Sequence, residues 1–456
     1  MILRNLHNPL TLLAVFVLIY TGAHTTHATS AAPPAAAPWT LEAAVKEALA
    51  RSPDAELAAQ RLAAAQAVRM QAAAADWPQL SLKSSYMQTD NPMAAFGAIL
   101  GQRAFSPTID FNHPGQVDNF NMTAVASYNI YSGGRATASK AAAKAGAEAA
   151  SRDREATSAQ LENEVVRGFF QILQARAGAR ALEVAVGSYE EALRVAKLRY
   201  QSGQMLESEL LNIEAQLAQT REQTLGARHN AALAEKRFLL LLGHDSGEVV
   251  TLAQDSPEST PGLDAGLENL ENLSIERRPE LQAMRSRVAA AENAARAARA
   301  GLRPTVNAFA SYQYDQGWRL NGDSTSWTAG LQAEIPIFDG QLTRGRIGEA
   351  EAQAAQAREG LRKLELALAF QLDQARLAYN LAREQVAVTA MLVAQTEASA
   401  RMSRERFAAG ALLSTELIGV ETRLTEARMR RAMALAAEKI AAADLRRAAA
   451  LPLFAN

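Results

Sequence analysis

Histidine is the side chain best suited to moving protons near neutral pH, and beyond residue 30 the chain has three, His113, His229 and His244. They lie far apart in sequence, in segments that read as a loop, a helix and a helix end. No His-Glu-x-x-His, Gly-x-Ser-x-Gly, phosphate-loop or dinucleotide motif occurs. Cysteine is absent, which removes thiolate chemistry, disulfides and a lipid-modified amino-terminal Cys. The many Glu and Arg residues recur at helical spacing and read as solvated faces with i,i+4 pairs. With 47 basic and 48 acidic residues and a formal charge of −1, nothing points to a nucleic-acid partner. No catalytic residue, metal ligand or cofactor is expected, and the chain does not read as an enzyme.

The residues that do stand out are two glycines in a phrase written twice. KLRYQSGQMLESELLNIE at 197–214 returns as RERFAAGALLSTELIGVE at 404–421, 207 residues later and without a gap. Earlier in the chain Pro53, Pro78 and Tyr86 recur as Pro279, Pro304 and Tyr312, 226 residues on. The change of offset places an extra stretch of 19 residues between Tyr86 and Tyr131. Repeats organise a fold before anything else does. Here they divide the chain into a first structural repeat over 31–260 and a second over 261–456, each running helix, strand, loop, strand, very long helix, break, helix.

The elements follow from period and composition. Pro is missing from Ser132 to Gly243 and from Ile337 to Leu451, and these stretches are rich in the good helix formers Ala, Glu, Arg, Gln and Leu. A helix over about 340–408 would be roughly 100 Å long. Leu206, Leu210, Ile213 and Leu217, repeated as Leu413, Leu417, Val420 and Leu424, step like a coiled-coil seam. Four other segments alternate with period two, at about 79–88, 122–131, 304–314 and 326–337. In the third, Val306, Ala308, Ala310, Tyr312 and Tyr314 share one face and Thr305, Asn307, Ser311 and Gln313 the other. Such strands suit a transmembrane barrel with a wet lumen. Four cannot close one, because the smallest single-chain barrels have eight strands and an open edge cannot sit in hydrocarbon. Three chains would supply twelve. The connections within the strand pairs, rich in Gly, Pro, Asp and Asn, are expected to be extracellular loops. At the start, one Arg, an apolar run from Leu10 to Tyr20 and small residues at Ala28–Ala31 read as a secretory signal peptide over 1–30.

WTLEAAVKEALARSPDAELA at 39–58, the IYSGG and IFDGQ junctions at 130–134 and 337–341, and the twin glycine phrases resemble the outer membrane efflux protein family, the TolC-like channels, from about Trp39 to Leu451. The resemblance implies a mainly α fold with a β-barrel part: a homotrimer whose shared 12-stranded outer-membrane barrel continues into a coiled-coil α-helical periplasmic tunnel. It implies the outer membrane of a Gram-negative bacterium, surrounding lipid, a periplasmic adaptor (membrane fusion) protein and an inner-membrane pump. The function implied is a passive duct for efflux or type I secretion; a trimeric coiled-coil structural or adhesive envelope protein is the alternative. Gly203 and Gly410 then mark the turns of the adaptor-docking tip, with Glu209 and Glu416 in the first turns of the returning helices. Glu416 occupies the place of an inward acidic residue of the periplasmic gate. The pattern departs from the family at Gly419, where a second acidic residue is expected. It departs again at Phe407 and Leu412, where polar links brace the closed mouth, so closure here is expected to rest on apolar contact and to respond little to salt.

Overall fold

The computed structural model describes residues 38–110, 112–253, 267 and 275–454; the signal peptide and the boundary between the repeats fall outside them. Both halves contain a helix, two strands, a 67-residue rod and a returning helix, and the first adds the short helices Leu41–Arg51 and Pro92–Gly101. In the first, α1 (Leu41–Arg51) and α2 (Pro53–Ala73) precede β1 (Gln79–Thr89), α3 (Pro92–Gly101), β2 (Val117–Tyr131), α4 (Arg135–Gln201) and α5 (Glu207–Leu242). In the second, α6 (Pro279–Arg299) leads to β3 (Thr305–Gly317), β4 (Gly322–Glu334), α7 (Leu342–Ala408) and α8 (Ser414–Ala448). Pro53 and Pro279 both open their helices, where a missing N–H costs nothing and the fixed φ is already helical. The rods α4 and α7 are 67 residues each, about 100 Å at 1.5 Å per residue. No helix among the described residues is long and apolar enough to cross a membrane.

The four strands form one antiparallel sheet in the order β1-β2-β3-β4, and its register sorts the side chains cleanly. Leu82, Ala124, Tyr312 and Trp327 are cross-strand neighbours in one row; the adjacent row is Lys83, Thr123, Gln313 and Ser326. Neighbouring rows point to opposite faces, so one face is apolar and the other polar. The apolar face is open: Leu80, Leu82, Tyr312, Trp327 and Leu331 are all more than half exposed. Among the described residues no strand pairs with the outer edge of β1 or of β4.

Three details differ from the sequence expectation. β2 begins at Val117, and β3 and β4 run to Gly317 and from Gly322, so only residues 318–321 connect the second pair. Polar residues that read as loop instead continue the ladder because their side chains are satisfied within it. Asn119 and Asn121 each donate to Asp315 Oδ1 at 2.8 Å, and the Trp318 and Arg319 N–H groups donate to the Asp118 carboxylate. β4 ends at Glu334, short of 337. Third, the first connection contains a helix, α3, started by Asn91, whose Oδ1 accepts from the N–H of Met93 and Ala94 ahead of Pro92 at the first helical position.

The main core lies partway along the rods. Phe169 and Phe170 of α4 pack edge to face at 5.7 Å among Phe238, Leu239 and Leu242 of α5, Tyr379 of α7 and Ala442 and Leu445 of α8. Trp39 ties the amino-terminal end to this region, donating to Thr251 O and accepting from the Ala253 N–H.

Candidate functional site

The two repeated phrases meet in space. α4 ends at Gln201 and Gly203 takes φ +72°; α7 ends at Ala408 and Gly410 takes φ +78°. A left-handed residue after a helix lets its own N–H and that of the following residue turn back onto the last carbonyls. Gly203 N donates to Tyr200 O and Gln204 N to Arg199 O; Gly410 N donates to Phe407 O and Ala411 N to Arg406 O. The two turns thus share one hydrogen-bond pattern. The returning helices begin after Leu206 and Leu413, whose side chains cannot cap. Glu209 and Glu416 sit in their first turns, where the exposed N–H groups favour negative charge.

Glu209, Glu416, Gly410 and Leu412 line one shallow hollow with Arg199, Gln204 and Met205. Gly203 lies beside it, exposed at the apex of its own turn. Phe407 is elsewhere: 2% exposed, it packs inside the chain with Ala192, Ala196, Met205, Ile213 and Leu417. Leu412 is partly buried against the same cluster and reaches the hollow as well. Phe407 is therefore the anchor that holds the α7–α8 turn on the α4–α5 turn, while Glu209, Leu412 and Glu416 line the hollow.

Sequence reasoning missed the residue that joins the turns. Arg199 Nη1 donates to Phe407 O at 3.1 Å and Nη2 to Gln204 O at 3.3 Å, with the guanidinium 5.5 Å from the Phe407 ring centroid. One cation thus caps the carboxyl end of α7 and clasps the turn after α4. The only signal in the sequence is that Arg-Tyr and Arg-Phe occupy matching places in the two phrases. Two further links lie above it. Arg404 and Glu421 form a bidentate pair at 2.5 and 2.8 Å, with the carboxylate 3% exposed. The hydrogen bonds from Arg404 to Glu421 push its guanidinium above the ordinary value. Tyr189 of α4 lies within reach of Ile418 O and Thr422 Oγ1 on α8, and its burial pushes the phenol up. The tip therefore contains polar links as well as apolar contact, all within one chain.

The histidines are not brought together. His113 lies by Asp110 in the first connection, His229 is exposed on α5, and His244 sits between Glu47 and Glu248 beside Trp39. Among the described residues no group of three His, Asp or Glu side chains is arranged to hold a metal.

The family model for outer membrane efflux protein matches residues 44–244 and 270–451. Among curated relatives the chain is similar to Protein CyaE of Bordetella pertussis, 29% identical over 58% of this chain and 54% of that protein. It is also similar to outer membrane protein OprJ of Pseudomonas aeruginosa, 28% identical over 44% of this chain and 42% of that one. The chain thus spans about half the length of these curated relatives. Among solved structures it resembles the Campylobacter jejuni CmeC outer membrane channel, with a TM-score of 0.74, 17% identity and coverage of 90% and 85%.

Proposed function

We infer, for a chain that belongs to the outer membrane efflux protein family, a passive export duct made of three copies. The observation that carries this is the sheet: four strands with two open edges and one exposed apolar face, mounted on rods of about 100 Å. Backbone edges must be paired in lipid, and twelve strands from three chains would close a barrel with the Lys83–Ser326 row facing a wet lumen. The rods would continue it as a periplasmic tunnel. The likeness to a protein described as an outer membrane channel supports the reading. A coiled-coil fibre gives no reason for an exposed apolar sheet face.

Conduction needs no catalytic group, so the energy and the choice of cargo would belong to an inner-membrane pump, reached through a periplasmic adaptor at the turns of Gly203 and Gly410. Three copies of Glu416 and Leu412 would ring the periplasmic mouth. The test is fractionation: the protein should sediment with outer membrane, require detergent and run as a trimer. A monodisperse soluble monomer that keeps its strand signal would refute the shared barrel.

A further inference from the structure

We propose that α3 is a plug seated on the inner wall of the duct, narrowing its external outlet; this rests on the duct reading above. α3 buries Ala95, Ala98 and Ile99 against Val117, which alternates onto the same polar face as Asn119 and Asn121. Just past its end, Gln102 is 1% exposed and its Nε2 donates to Asp118 O at 2.6 Å and to Asn119 Oδ1 at 2.9 Å.

The wall is cut to receive it. Gly317 and Gly322 are cross-strand partners at the end of β3 and β4. A Cβ at Gly317 would fall 2.1 Å from Gln102 Oε1, and one at Gly322 would fall 2.8 Å from Ala104 Cβ and 2.9 Å from Gln102 O. At Gly322 the plug's backbone leaves no room for a side chain, and at Gly317 a side chain would have to push the buried Gln102 amide out of its place. Arg103 ends α3 with φ +53°, its N–H donating to Leu100 O and that of Ala104 to Ile99 O, and its Nη2 donates to Thr325 O.

The opposite face of α3 carries Met93, Gly97 and Leu100 at helical spacing, all exposed. Facing away from the polar wall, it faces the lumen, where an apolar constriction resists wetting. The second repeat has no counterpart, since four residues span its turn, so a trimer holds three plugs. Cargo leaves by displacing them, and bulky polar solutes entering from outside are held back.

The absence of cysteine allows a direct test with externally added, membrane-impermeant, polymer-linked maleimide on intact cells. Thr328→Cys reports on the polar face about 20 Å along the strand from Gly322; Ala329→Cys reports on the apolar face. Thr328→Cys should react slowly. Adding Gly317→Val, which unseats Gln102 by overlap, or Gln102→Ala, which only removes its hydrogen bonds, should speed it roughly tenfold. Ala329→Cys should stay protected throughout. An unchanged Thr328→Cys rate in both plug variants, with Ala329→Cys still protected, overturns the plug and leaves the duct standing. Equal reactivity at the two positions overturns the duct reading and the plug with it.

Discussion

Arg199 and Glu421 do different work at the tip, and their variants should fail differently. Arg199 spans two turns with one planar group, a geometry that Lys, a point charge, cannot reproduce. Arg199→Lys and Arg199→Ala should both raise amide exchange at 203–206 and 409–412, by about 1 kcal/mol of local stability, while the melting temperature hardly moves. Equal protection in the two variants and the parent would remove Arg199 from that role. Arg404→Ala strips the partner from a buried carboxylate, so it should destabilise the fold itself by about 3 kcal/mol, seen as a lower melting temperature; Arg404→Ala with Glu421→Leu should recover most of it. Glu416 has no such structural duty, being exposed at a helix start. If three copies ring the mouth, the pore prefers cations and is blocked by multivalent ones, and Glu416→Ala weakens both. Single-channel recordings with unchanged selectivity and block would place Glu416 away from the constriction.

Elements were legible where one period or one breaker decided them. The rods end where Gly203 and Gly410 appear, and the alternation of β3 and β4 survives into the paired register of Tyr312 with Trp327. What could not be read was structure made by side-chain satisfaction across the chain. Asp118 and Asp315 look like loop residues until the N–H groups of Trp318 and Arg319 and the amides of Asn119 and Asn121 are folded onto them. α3 was hidden because PMAAFGAILG has almost no polar face to show a helical period; only the 19-residue change in offset marked where something had been added. Arg199 was invisible because its partners are carbonyls that the turns themselves create. The sheet's two faces give the test at this scale. Leu331→Arg places a charge on the apolar face and should prevent assembly in the outer membrane, at a cost of about 2–4 kcal/mol near mid-membrane. Thr328→Arg, on the other face, should assemble normally. Immunoblots of outer-membrane fractions decide it, and normal assembly of both would mean that neither face meets lipid.

If three copies build the duct, α7 shows where they would meet. α4 buries residues on several sides, against α2, α5, α6 and α8, whereas Leu366, Phe370, Leu377, Leu381 and Val388 of α7 are all more than half exposed. They advance in alternating steps of four and seven residues. That repeat of eleven corresponds to about 3.67 residues per turn, so the apolar seam stays nearly in line with the rod axis. In a duct of three copies, a seam of this length would be covered by a rod of a neighbouring copy. Phe370→Glu with Leu381→Glu should therefore break the trimer while leaving each protomer helical, because neither side chain belongs to the internal core around Phe169 and Phe238. Mass measurement in detergent with circular dichroism on the same sample separates the outcomes. Monomers with parental helicity place α7 at the contact between copies; a stable trimer carrying both substitutions would leave the seam facing water and move the contact elsewhere.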